Sequence, residues 1–298
     1  MVNTFYIADT PCTQPRVSHE RYIPDYDTSA QLLDFMRCNK QIIEACQIRN
    51  ILDNVNCICS YHGWEPVPQA NTEEILQNPD SIASAYLQRC VYYRNILQAY
   101  KALPYYLARN PQGQLQPINK DIILDKNSGW TVYKLGFSSH TAVFMWLGYR
   151  SALDAYINAH IRSWCQRKKK DGSSCQSNTA LVTVPNNIAH PWWICCTREV
   201  VYSHRANLLR KEYYYLKDLV EGGVTLEESD YYYSRLPQFQ ELPLFYYNQV
   251  GYLWPSHCNQ QQIRACIQET NINILELCDP LAAPRRATIK GRRLQHRY

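Results

Sequence analysis

The sequence contains no uninterrupted run of about 18 apolar residues, the length that a helix needs to cross a bilayer. We therefore expect no transmembrane helix. The first residues hold no long apolar stretch and include Asp9, so we expect no secretory signal either. Because 46% of the 298 residues are apolar, the chain can still bury one large core or two modest ones. These features predict a soluble intracellular protein.

Several sequence motifs that identify common enzyme classes are also absent. The chain has neither GxGxxG nor GxxxxGK[ST], and its helical patterns do not alternate with strands. This argues against nicotinamide-dependent dehydrogenases and P-loop enzymes. GxSxG and HExxH are missing as well, so two common classes of hydrolase lose support.

The 13 cysteines include no CxxC pair. Their odd number and the expected intracellular location favour reduced, mostly buried thiols. Two clusters resemble metal sites: Cys57 and Cys59 with His62, and the pair at 195–196 with His190. In neither cluster are the cysteines separated by the two or more residues that zinc sites use. We therefore predict core cysteines and no metal.

The net charge of +5 comes from the end of the chain. Residues 284–298 carry six Arg or Lys and no acid, and elsewhere 25 basic residues face 26 acidic ones. Such a tail can neutralise phosphates without reading sequence, or it can be a solvated end or a localisation signal. A second basic run, 167–170, can either bind phosphates or complement the dipole at a helix end.

Apolar residues recur mostly at helical spacing, which predicts a mainly α fold. A helix capped at 27–29 runs to about Asp53, with an inner stripe of Leu32, Leu33, Met36, Ile43 and Ile51. The next runs from about Ser81 to Leu103 and ends at Pro104. The other predicted helices are 141–167, 198–211 and 260–277.

The core positions of these helices follow from the same spacing. In the second helix we predict burial of Tyr86, Cys90, Tyr93 and Leu97. In the third we predict burial of Val143, Trp146, Leu147, Leu153, Ile157, Ile161 and Trp164. In the fourth, one side holds Val201, His204 and Leu208. Residues 111–127 read as a polar loop with one short strand at 122–124. The 24 tyrosines can stack on bases, but packing is the favoured role for most.

Five segments together resemble one known family. They read LDxxRxxKQxxEA from Leu33, HxAVxMWxGYxxALxxY from His140, PWW from Pro191, SHRxNLLRK from Ser203 and YxWP from Tyr252. This order is similar to that of the pyrimidine-dimer DNA glycosylases of the endonuclease V type, in their longer phage and viral branch. The matching segments cover about a third of the chain.

The resemblance implies a single, mainly α domain of the endonuclease V-like type with an inserted region and a basic C-terminal tail. Residues 1–60 would hold the nucleophile and the catalytic glutamate helix, and 61–130 the insertion. Residues 131–258 would complete the glycosylase-like core, and 259–298 would form a last helix and the tail. The expected location is the cytoplasm or nucleus of a host cell, or a virion.

The implied activity is that of a DNA glycosylase and abasic-site lyase that needs no cofactor. The α-amine of Val2, after loss of Met1, would attack the sugar C1′ and form an imine. An α-amine has a pKa of about 7.7–8.0, so a useful fraction is neutral near pH 7. Glu44 would stabilise the positive charge on the sugar and move protons. The alternative is a solvated amphipathic helix with an ordinary ion pair at Glu44.

The implied DNA contacts come from three segments. Arg37 and Lys40 share one helical face with Gln41 and Glu44. His140 would lie near the reacting sugar or its phosphates, or else cap its helix. The third segment supplies His204, Arg205, Arg210 and Lys211. Arg205 would bind a phosphate or the lesion, or else tie its helix to that of Glu44. Trp146, Trp192 and Trp193 are favoured as core residues.

The chain departs from the small phage enzyme next to the glutamate, where Ile43 and Gln47 replace two arginines. A phosphate clamp would then have to use Arg37, Lys40 or Arg49. The predicted partner is double-stranded DNA that carries an ultraviolet pyrimidine dimer or a related damaged base, bound by a monomer away from any membrane. The rival hypotheses are a non-catalytic DNA-binding or packaging protein on the same scaffold and, with less support, a metal-dependent enzyme.

Overall fold

The computed structural model describes residues 29–76, 78–122, 127–166, 172–186, 188–189, 191–193, 198–226 and 254–269. Over these ranges the chain is mainly helical, as predicted. The α-helices are α1 (Ser29–His62), α2 (Pro79–Ala102), α3 (Thr141–Met145), α4 (Arg150–Gln166), α5 (Arg198–Glu221) and α6 (Gln260–Glu269). One antiparallel sheet consists of β1 (Tyr105–Arg109), β2 (Leu115–Asn119) and β3 (Thr131–Val132), and short 3-10 helices cover Thr72–Leu76 and Pro255–His257. The endonuclease V-like type of fold stays a prediction, and the basic tail lies outside the described residues.

Helix α1 packs against α4 and is longer than its sequence pattern suggested. It ends at His62 rather than near Asp53. Its buried apolar residues recur at spacings of three and four: Ile42, Ala45, Ile48, Leu52, Val55, Ile58 and Cys59. The predicted stripe is wrong at Ile43, which is half exposed, and Ile51 is only partly buried. Because Ile42 and Ile43 are adjacent, the sequence pattern allows either of them on the buried side of the helix. In the structure, Ile42 packs in the core and Ile43 faces outward. The side chains at 32, 33 and 36 lie outside the described residues.

Helix α2 agrees closely with its prediction. The Asn78 Oδ1 accepts a hydrogen bond of 2.9 Å from the Ser81 N–H, and Pro79 occupies the first turn, where a missing N–H costs nothing. The four predicted core residues of α2 are all buried. Buried tyrosine hydroxyls of α2 donate to carbonyl oxygens of residues 133–144: Tyr86 to Phe144, Tyr93 to Ser138 and Tyr100 to Tyr133. These bonds fasten α2 to the segment that leads into α3.

The sheet was not predicted in its observed place. Strand β1 lies between β2 and β3, with Leu107 opposite Pro117 and Ala108 opposite Val132. The expected strand at 122–124 is wrong at Ile122, which lies outside any strand, and the next two residues fall outside the described ranges. Pro117 made β2 look unlike a strand. An edge strand tolerates proline because one side of its backbone makes no ladder hydrogen bonds.

The helix predicted over 141–167 is broken in two. A turn over residues 146–149 separates α3 from α4, and Gly148 within it has φ +84°, a conformation that L side chains rarely adopt. A Cβ at this position would also lie 2.7 Å from the Cδ of Arg89. All seven core residues predicted for this segment are nevertheless buried. The buried residues keep helical spacing on both sides of the turn because α3 and α4 pack against the same core.

The last two helices differ from prediction only in extent. Helix α5 continues to Glu221, ten residues past its predicted end at Lys211. Helix α6 starts at Gln260 as predicted and packs against α2, while residues 270–277 lie outside the described ranges. The side chains of Val201, His204 and Leu208 are likewise not described. None of the described helices is long and apolar enough to cross a membrane.

Candidate functional site

Glu44 lies on the buried side of α1. Its residue is only 5% exposed, and Gln41, one turn earlier, is 4% exposed. Ala45 and Ile48 beside them are fully buried. A solvated amphipathic face was the alternative interpretation for this turn, and the burial of Glu44 contradicts it. Two polar side chains in an otherwise apolar face cost folding energy unless they are paired, which makes this turn the first candidate for a functional site.

Helix α4 faces this turn with an aromatic cluster. The Tyr156 hydroxyl donates a hydrogen bond of 3.2 Å to the Oε1 of Gln41. The Tyr156 ring lies 4.2 Å from the His160 ring and 5.2 Å from Trp146, centroid to centroid. The cluster therefore orients Gln41 next to Glu44. Tyr156 belongs to the second sequence motif, but its spacing alone indicated no role for it.

An ion-pair network continues along the same α1–α4 interface. The Arg150 guanidinium donates to both carboxylate oxygens of Asp53, at 2.9 and 3.0 Å, and also to Asp154. Burial alone would lower the pKa of Arg150, but the hydrogen bonds and charges of Asp53 and Asp154 outweigh it and raise that pKa. Arg49 lies 3.7 Å from Asp154. The network holds α1 on α4 and occupies Arg49, one of the three cations considered for a phosphate clamp.

His140 caps the N-terminus of α3. Its Nδ1 accepts a hydrogen bond of 3.1 Å from the Ala142 N–H, and its ring meets Trp254 edge to face at 5.7 Å. Burial lowers the pKa of His140. The imidazole is therefore neutral at pH 7, and its Nδ1 lone pair is free to accept the capping hydrogen bond. The capping role is confirmed, whereas the role near the sugar stays a prediction.

The stability of the protein should depend on pH through His140. The unfolded chain, with a histidine pKa of about 6.5, binds more protons than the folded one. The contribution is therefore present above pH 6.5 and is lost as the pH falls towards the lowered folded pKa. Asparagine caps helices well and does not titrate. We expect the free energy of unfolding of His140→Asn to fall less between pH 7.5 and pH 5.5 than that of the wild type.

Urea unfolding at the two pH values measures this difference. Burial also lowers the pKa of His62, and this contribution is common to both proteins and cancels in the comparison. Equal declines in the two proteins would show that the capping imidazole does not titrate differently on folding.

The other predicted site residues are only partly described. The backbones of Arg37 and Lys40 lie in α1, one to two turns before Glu44, and those of His204, Arg205 and Lys211 lie in α5; none of these side chains is described. Arg210 is half-buried. Val2 lies outside the described residues. The described part of the structure therefore places Glu44, Gln41 and Tyr156 together and leaves the remaining juxtapositions as predictions.

Trp146, Trp192 and Trp193 lie in the core, as do four of the seven cysteines whose burial is described, whereas Cys46 and Cys57 are half-buried and Cys165 is exposed. Trp193 meets Trp146 edge to face at 5.0 Å and donates to the Met145 carbonyl at 3.0 Å, and Trp192 is buried against Tyr86. The core interpretation of the three tryptophans is confirmed. Cys59 is fully buried, while the pair at 195–196 and His190 lie outside the described ranges. Among the side chains that are described, no three His, Cys, Asp or Glu gather as metal ligands would.

One comparison with known proteins gives a match. The family model described as pyrimidine dimer DNA glycosylase matches residues 20–177, which is just over half of the chain. This range contains α1 with Glu44, the sheet, and α3 and α4 with the Tyr156 cluster. No curated protein matches the chain, and no solved structure matches it.

Proposed function

The chain belongs to the pyrimidine dimer DNA glycosylase family, and from this premise we propose that it excises a damaged pyrimidine and then cuts the strand at the resulting abasic site. The observation that carries the proposal is the family match over residues 20–177. It agrees with the resemblance of the five sequence segments. The substrate would be duplex DNA with a pyrimidine dimer or a related damaged base.

The proposed chemistry uses the chain's own amine. The neutral α-amine of Val2, exposed after removal of Met1, forms a bond to C1′ as the bond from C1′ to the base nitrogen breaks. The base leaves with the electron pair of that bond and takes up a proton. The amine then loses one proton, the C1′–O4′ bond of the sugar ring breaks as O4′ takes up a proton, and the nitrogen lone pair forms the double bond of a protonated imine. Removal of a C2′ proton then expels the 3′ phosphate by β-elimination. An amine with a pKa near neutrality suits this attack better than a lysine, which is mostly protonated at pH 7.

Glu44 would act on the positive charge that develops on the sugar and the imine nitrogen. Its burial supports this role, since a carboxylate that is shielded from water interacts more strongly with a nearby cation. The Tyr156 bond to Gln41 and the Arg150 network would keep α1 fixed on α4, so that the carboxylate needs little reorganisation during the reaction. The cations of the first and fifth helices, Arg37, Lys40, Arg205, Arg210 and Lys211, would hold the phosphates, with His140 and His204 nearby.

Reductive trapping tests the proposal directly. In borohydride, an oligonucleotide duplex with one cyclobutane pyrimidine dimer should form a covalent adduct with the protein through the imine. A variant that keeps a few extra residues before Val2 should lose this adduct almost completely, because its α-amine is displaced from the site. Mass spectrometry of the trapped peptide identifies the attached nitrogen.

The control for this experiment is the same pair of proteins on an abasic-site duplex and on undamaged DNA. A non-catalytic DNA-binding protein would bind all three duplexes, would lose affinity steeply with added salt, and would trap none of them. Adduct formation through a lysine side chain, with the extended variant still active, would also contradict the proposed nucleophile.

A further inference from the structure

Among the described residues, Phe137 is the large apolar residue with the highest exposure, and its backbone is strained. Its residue is 72% exposed and has φ +60°. Leu135, two residues earlier, has φ +50°. A bulky residue in the left-handed region is a true conformational outlier, and such outliers persist only where the surrounding structure enforces them. The strain and the exposure together call for a functional explanation.

The loop that carries Phe137 is held firmly from beneath. The Tyr93 hydroxyl donates to the Ser138 carbonyl at 3.1 Å, and the Ser138 hydroxyl donates to the Leu135 carbonyl at 2.6 Å. The His140 N–H donates to the Phe137 carbonyl at 2.8 Å. Leu135 and Ser138 are buried on either side. The fixed backbone therefore presents the Phe137 ring to solvent, 6.5 Å from the His140 ring.

The surroundings of this loop carry unbalanced positive charge. Residues 81–120 contain five Arg or Lys and no Asp or Glu, and only Arg89 among the five pairs with a carboxylate of the described residues, that of Glu74. Of these, Lys101 bonds the Ser139 hydroxyl of the loop at 3.4 Å, and Arg94 lies over the Phe144 ring at 4.9 Å. Lys134 is exposed on the loop itself. Among the described residues, no carboxylate pairs with Arg94, Lys101 or Lys134.

We propose that Phe137 inserts into the base stack of duplex DNA where a base is missing or displaced, while Arg94, Lys101 and Lys134 bind the flanking phosphates. The inference rests on the proposed function for the nature of the duplex. An apolar wedge gains most where stacking is already broken, as it is beside a lesion or a flipped nucleotide. Because the hydrogen bonds of the loop already hold the backbone that carries the ring, binding has less ordering cost to meet. Clustered cations without carboxylate partners fit the phosphates on both sides of such a gap.

Binding to a duplex with one tetrahydrofuran abasic analogue tests the insertion without any chemistry. We expect Phe137→Gly to weaken this binding about 5- to 150-fold, the range of one base–aromatic stack, and to weaken binding to the intact duplex much less. Glycine accepts the left-handed backbone, so the Tm should stay at or above the wild-type value. Phe137→Trp should retain the affinity, and its added indole fluorescence should be quenched on the duplex. Leu181→Ala, which alters another exposed apolar residue, is the matched control.

The phosphate contacts are tested by the dependence of affinity on salt. The slope of log K against log salt is negative. Arg94→Gln, Lys101→Gln and Lys134→Gln should each reduce its magnitude by about one unit. Arg264 provides the control, since its guanidinium lies 3.4 Å from the Asp80 carboxylate. Arg264→Gln should leave the slope unchanged. If all three slopes are unchanged, Arg94, Lys101 and Lys134 do not bind phosphates, and this part of the proposal is wrong.

Trapping with borohydride, run on the same proteins, separates this inference from the proposed function. In one outcome, the wild type traps the dimer duplex while Phe137→Gly binds the tetrahydrofuran duplex as tightly as the wild type. This result would contradict the insertion of Phe137 and support the proposed enzymatic activity. If the wild type traps nothing while Phe137→Gly loses affinity selectively, the enzyme assignment is wrong and the wedge stands.

Discussion

Replacing Glu44 by glutamine should lower the rate of strand cleavage at least about 100-fold, the scale of a lost acid–base group, while DNA binding changes only a few-fold. Glutamine has nearly the same shape as glutamate, so the buried turn beside Gln41 keeps its packing. The substitution removes the negative charge that, in the proposed mechanism, stabilises the cation that develops on the sugar. Single-turnover cleavage of a duplex with one pyrimidine dimer measures the rate, and anisotropy with a tetrahydrofuran duplex measures the binding.

The matched control for this experiment is Glu73→Gln, which removes the charge of an exposed glutamate from the 3-10 helix before α2. Its cleavage rate should equal that of the wild type. A Glu44→Gln protein that cleaves at the wild-type rate would make Glu44 a purely structural residue. The α-amine would then need a different proton acceptor, and trapping of the glutamine variant would still report whether the imine forms.

The elements predicted best are those whose ends are determined by local chemistry. Helix α2 has an asparagine cap, a proline in its first turn and a proline just beyond its end, and each acts within a few residues of its own position. Its core residues follow from spacing because α2 is one uninterrupted helix with a single buried side. Family membership was also predictable, because the five matching segments keep their order along the chain.

The failures occur where distant residues determine the local structure. Nothing near Gly148 in sequence indicates that Arg89 lies against it, yet this contact belongs to the turn that separates α3 from α4. The phase of α1 was ambiguous for a similar reason: its buried side is chosen by α4, whose contacts come from about a hundred residues later.

In the candidate site too, some features could be predicted from local sequence and others depend on distant residues. Glu44 was identified through the resemblance of its motif, since one glutamate at helical spacing carries little information. The Tyr156 bond to Gln41 and the pairing of Asp53 with Arg150 join residues 115 and 97 positions apart. No periodicity in the sequence reports such pairs. Phe137 was overlooked because its exposure and its positive φ are properties of the folded loop.

Arg89→Met should cost about 3–5 kcal/mol in the free energy of unfolding, the expected effect of breaking a buried ion pair from one side. Arg89 is 5% exposed and pairs with Glu74, which is 7% exposed, and its guanidinium lies 5.5 Å from the centre of the Tyr149 ring. Methionine fills much of the same volume, so the loss would come mainly from leaving the Glu74 carboxylate buried without its partner. Urea unfolding at pH 7 measures the effect.

A double variant separates the charge from the packing. If the buried carboxylate causes the loss, Arg89→Met combined with Glu74→Gln should recover a large part of the stability, because neither buried side chain is then charged. If the double variant is instead as unstable as Arg89→Met, the contacts of Arg89 with Tyr149 and the Gly148 turn stabilise the fold. The role of Arg89 is then to shape the junction between α3 and α4, on which the position of the Tyr156 cluster against Gln41 and Glu44 depends.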